Sequence, residues 1–67
     1  MTKKIALKNV ELHETYCVVM SDDTYYDGEI INKTDSGITI LHWNGVKDRM
    51  DETDLVSEKI ALIYQDN

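Results

Sequence analysis

Three clusters of turn-forming residues, Ser21-Asp22-Asp23-Thr24, Asn32-Lys33-Thr34-Asp35-Ser36-Gly37 and Trp43-Asn44-Gly45-Val46-Lys47-Asp48, cut the middle of the chain into short apolar runs. The runs between them are rich in β-branched and aromatic residues, so they read as strands. In "TYCVVMS", Tyr16, Val18 and Met20 share one face and Cys17 and Val19 the other, which predicts a central strand apolar on both sides. "TYYDGEIINKT" alternates around Gly28, where a bulge or sharp bend is expected, so the sheet should curl. "GITILHW" sets Ile38 and Ile40 against Thr39, Leu41 and Trp43, and Asn44-Gly45 suits a tight hairpin leading into a short charged strand, "VKDRM". "DETDLVSE" reads as polar and turn-like. "KIALIYQ" closes the chain as a strand, with Ile60, Leu62 and Tyr64 opposite Ala61 and Ile63. The start, "KKIALKNVELHE", fits a strand ending at Asn9 or a short amphipathic helix; a short N-terminal helix or irregular arm is the expectation.

No proline, repeat or low-complexity tract divides the 67 residues, so residues 1–67 form one small β-barrel domain of five strands. At this size an apolar core supplies only about 3–5 kcal/mol without reinforcement. Cys17 is the single cysteine, which excludes an intrachain disulfide, and no Cys and His residues have the paired spacing of a structural zinc site. Self-association is the reinforcement that remains. No apolar run approaches the ~20 residues that cross a bilayer as a helix, and a lone cysteine suits a reducing compartment, so a cytoplasmic setting is expected. Thirteen acidic residues against seven basic ones give a net charge of −6, which repels a bare phosphate backbone and favours basic partners.

The residues offer little chemistry for catalysis. Asp22, Asp23, Asp27 and Glu29 are close together but lack the ligand pattern of a calcium hand, and read as a solvated acidic turn. His13 and Cys17 would adjoin only on a helix, whereas "ETYCVVM" reads as strand, and His42 is remote in sequence. No phosphate-binding glycine loop, serine elbow or paired acid and base motif is present. The expectation is a protein that is not an enzyme and carries no cofactor or metal. Phenylalanine is absent, so Tyr16, Trp43 and Tyr64 are expected to help fill the core. Tyr25 and Tyr26 are adjacent in a strand and point to opposite faces, so one of the two should be free to stack on a partner.

From about Glu14 to Gln65 the chain resembles an Sm-like domain, the family of Hfq and the Sm proteins. The resemblance rests on the apolar strand "TYCVVMSDDT", on Gly28 followed by Asp35 in "GEIINKTDSGITIL", and on the separate terminal "DLVSEKIALIY". It implies a strongly bent small barrel in which Gly28 bends the second strand and Asp35 leads into the third. The same string is similar to a Src-homology-3-like barrel. Sm proteins read a base with an asparagine shortly after the loop aspartate, where this chain has Gly37, Ile38 and Thr39. Their Arg-Gly or Lys-His pair is replaced by Ser57-Glu58-Lys59. The sequence therefore points first to a non-catalytic, homo-oligomeric binding module that presents an acidic surface to a protein partner. The alternatives are an RNA-binding Sm-like ring, and a small phage or mobile-element inhibitor that blocks a host factor or sequesters a nucleotide. The candidate partner surface comprises Tyr25, Tyr26, Asp27, Asp35, Thr39 and Lys59.

Overall fold

Alternation of apolar and polar residues between the turn clusters yields six strands in the computed structural model, which describes residues 2–66. They are β1 (Thr2–Lys4), β2 (Thr15–Met20), β3 (Tyr25–Thr34), β4 (Gly37–Trp43), β5 (Met50–Val56) and β6 (Ile60–Asp66). All pair antiparallel in one sheet of order β1-β6-β2-β3-β4-β5. The mainly β, barrel-like architecture is the one the sequence predicts, with one more strand. The sheet curls around a single apolar cluster of Val10, Tyr16, Val18, Ile30, Ile38, Ile40, Leu55 and Ile63, all buried. Within each strand these follow the two-residue period: Tyr16 and Val18, then Ile38 and Ile40.

Two irregularities supply the curl. In β3, Ile30 faces Ile40 but Asn32 faces Thr39, leaving Ile31 as an extra residue. The bulge reverses the parity of β3, so Lys33 shares a face with its partner Ile38. Between β2 and β6, Val19 faces Leu62 while Met20 faces Ile60, which skips Ala61. That shift puts Ile60 against the core together with Ile63, where strict alternation would have sent them to opposite faces.

The chain between β1 and β2 is the irregular arm that the sequence suggests, and not a strand to Asn9 or an amphipathic helix. It holds a single 3₁₀ turn, Leu7–Asn9, preceded by β1, which adds to the five expected strands. The arm crosses the curled sheet and inserts Val10 into the core. Tyr16 Oη accepts the Glu11 N–H at 2.9 Å, and the Lys33 ammonium donates to the carbonyls of Lys8 and Val10 at 2.9 and 2.8 Å. The arm therefore closes one end of the core through bonds to Tyr16 and to Lys33, the second of which the bulge turns toward it.

The other correction lies after β4. Of the expected strand Val46–Met50, residues 46–49 are a loop and only Met50 is in a strand, while the expected polar turn is β5, paired residue for residue with β4 from Gly37–Val56 to Trp43–Met50. An edge strand needs only one buried contact on its inner face, here Leu55, so a run rich in carboxylates can pair without cost to the core. Asn44-Gly45 likewise opens a longer loop rather than a two-residue hairpin, with Gly45 at φ 91° and Asp48 at φ 60°. Trp43, expected to fill the core, is 63% exposed, its Nε1–H donating to the Val46 carbonyl at 2.9 Å. A second 3₁₀ turn, Ser57–Lys59, joins β5 to β6. Its backbone bonds to both hairpins: Ser57 N–H to the Ser36 carbonyl, and the Lys59 carbonyl from Ser21 N–H, each at 2.8 Å.

Candidate partner-binding groove

The outward face of β2 forms the floor of an open groove of about 530 Å³. Register fixes its composition: Cys17 lies between Asp27 of β3 and Tyr64 of β6, and Tyr25 is two residues before Asp27 on the same face of β3. Tyr25 and Tyr64 thus stand on opposite sides of a half-buried floor, with Glu14 and Thr15 at one end. Gln65 Nε2 donates to the Thr15 carbonyl at 3.2 Å, which fixes that rim. Tyr25 is 69% exposed, the largest exposure among the large apolar and aromatic side chains of the described residues. Asp27 is exposed and, among the described residues, makes no ion pair. Glu29, next on the same face, is already engaged by a hydrogen bond between its Oε2 and His13 Nδ1 at 3.2 Å. An aromatic face beside an uncommitted carboxylate suits an ammonium or guanidinium group, which gains both cation–π and charge attraction.

The six candidate residues fall into separate places. Tyr25 and Asp27 meet in the groove. Tyr26 turns inward, edge-on to the His42 ring at 5.0 Å, and His42 Nε2 reaches Thr53 Oγ1 at 2.7 Å. Tyr26 and Lys59 both line a second cleft, of about 410 Å³, between the β2–β3 hairpin and β5. Thr39 is on the outward face, its hydroxyl donating to Asp54 Oδ1 at 2.6 Å. Asp35 is exposed in the β3–β4 turn, away from both. Tyr64, Glu14 and Gln65 belong to the groove but were not among the sequence candidates. Their signal is the β2–β6 register, which joins opposite ends of the chain.

The acidic stretch is divided in the same way. Asp22 and Asp23 make the β2–β3 turn, with Asp23 at φ 72°, the left-handed residue that a three-residue hairpin loop uses. The Thr24 hydroxyl first, and then the Thr24 N–H at 3.0 Å, hold the Asp22 carboxyl below its ordinary range; nearby Lys59 adds a smaller effect in the same direction. Asp27 and Glu29 lie on the outward face instead. Among the described residues no three His, Cys, Asp or Glu side chains are grouped to hold a metal ion. His13 and Cys17 border the same groove, yet His13 is directed to Glu29. No described helix is long and apolar enough to cross a membrane. No family model matches the chain, and no curated protein or solved structure shows significant similarity to it.

Proposed function

We propose that the protein is a non-catalytic binding module of the reducing cytoplasm that self-associates and presents its acidic, tyrosine-walled groove to a basic segment of a protein partner. The observation that carries this reading is the placement of exposed Tyr25 and uncommitted Asp27 together in the groove beside Cys17. An aromatic ring that fills no core and a carboxylate that serves no internal bond are both available to a ligand. The net charge of −6 draws basic segments toward the surface, and the local groups orient them.

Fluorescence anisotropy of a labelled peptide of alternating Arg and apolar residues tests the reading. Binding should saturate and weaken as salt rises. Asp27→Lys should weaken it about tenfold or more by opposing the cation with a like charge. Tyr25→Ala should weaken it by about two- to tenfold through loss of cation–π contact. Binding that is unchanged in both variants removes the groove from consideration. Tight retention of RNA in place of the peptide would favour the Sm-like ring.

A further inference from the structure

β5 and β1 are the two ends of the sheet. β5 pairs with β4 alone and β1 with β6 alone, so each presents outward backbone N–H and C=O groups that no strand of the same chain satisfies. The two edges carry opposite charge. β5 has Asp51, Glu52 and Asp54 and no basic residue, whereas β1 is Thr-Lys-Lys. All five charged side chains are exposed, and among the described residues none of them is in an ion pair.

We infer that the β5 edge of one copy receives the β1 edge of a second copy, strand against strand, so that the sheet continues from subunit to subunit. This names the interface of the self-association proposed above and rests on that reading for the fact that copies associate. Charge selects the pairing. Two β5 edges would oppose three carboxylates with three more, and two β1 edges would oppose lysines with lysines. Only the mixed pairing places opposite charges across the ladder, where they stabilise rather than repel. Met50 and Val56, 53% and 49% exposed at the two ends of β5, would also be covered by the incoming subunit. An acidic edge that meets a basic one is a heterologous contact, so a pair of copies still has one free edge of each sign, one on each copy, and assembly proceeds to rings or filaments. The opposing reading is that the same charges keep the edges apart and the protein monomeric.

Native mass spectrometry and light scattering of the full chain at micromolar concentration distinguish the two. The expected result is three or more copies at low salt, with association weakened about tenfold or more as salt rises from about 0.05 to 0.5 M. Lys3→Glu with Lys4→Glu should give a folded monomer, as should Asp51→Lys with Glu52→Lys, each checked for native circular dichroism. Mixed in equal amounts, the two variants should reassemble, because one supplies two acidic edges and the other two basic edges. A chain carrying all four substitutions should assemble by itself, which keeps the test decisive if either pair alone fails to fold. A monomeric wild type, an assembly indifferent to either pair, or folded variants that do not reassemble on mixing would overturn the inference. Anisotropy with the Arg-containing peptide on the same samples separates this from the groove. A monomeric wild type that still binds the peptide refutes self-association, and the edge pairing with it, but leaves the groove; an assembly indifferent to both charge pairs refutes the edge pairing alone, and an assembly that ignores the peptide refutes the groove alone.

Discussion

A side chain at position 28 has nowhere to go, because a Cβ there would collide with the Leu41 carbonyl, whose carbon would be 2.9 Å away, and would press on His42 Cα at 3.1 Å. Gly28 faces Tyr16 on one side and His42 on the other, in the middle of the sheet, so neither neighbour can retreat without breaking a ladder. The demand is for close strand approach rather than for a left-handed backbone, since Gly45 is the glycine with positive φ among the described residues. Gly28→Val should therefore destabilise the fold by about 1–3 kcal/mol in urea unfolding. A change near zero would mean that the strands do not approach closely there. The sequence marks Gly28 as the site of a bulge or bend, whereas its register is regular on both sides and what it provides is close strand approach. The bulge at Ile31, farther along the same strand, was not legible, because nothing about an isoleucine announces that it lacks a cross-strand partner.

At the scale of elements, the N-terminal arm depends on one lysine. The Lys33 ammonium donates to two arm carbonyls, and it faces them only because the Ile31 bulge turned it inward. Lys33→Met keeps most of the apolar stem and removes both bonds, so it should lower stability by about 1–2 kcal/mol. Hydrogen exchange should locate the loss in residues 7–10, ahead of β2 to β4; protection that is unchanged in the arm would show that Val10 packing alone holds it. β2, β3 and β4 were legible because apolar residues recur at alternate positions on their inner faces, Tyr16 and Val18, Tyr26 and Ile30, Ile38 and Ile40, and turn formers bound them. β5 was not, because its outward side and free edge face water and only Leu55 marks its inner face. β1 was missed for a related reason, since Thr-Lys-Lys carries no apolar residue at all. In the groove, Tyr25 and Asp27 could be read from alternation within one strand. Tyr64 could not, because its place beside Cys17 follows from a register between distant segments, shifted by the skipped Ala61.

For the molecule as a whole, charge and its distribution matter more than any single group. The seven basic residues are dispersed, with Lys3 and Lys4 on β1, Lys8 in the arm, Lys47 and Arg49 in the β4–β5 loop, Lys59 before β6, and Lys33 committed to carbonyls. A surface of net charge −6 without a concentrated basic patch should not retain short A-rich or U-rich RNA at about 0.15 M salt. Anisotropy titration measures this, and submicromolar binding that disappears in Lys59→Glu would reverse the expectation. The position of Trp43 bears on how any such experiment is read. The chain's single indole stands in water at the end of β4, tied to the loop carbonyl of Val46 and opposite Met50 on the outermost strand. Its emission is therefore that of a solvated ring even in the native protein, and loss of the apolar cluster will change it little. As an optical probe it is nearly blind to the core and sensitive to whatever arrives beside β5.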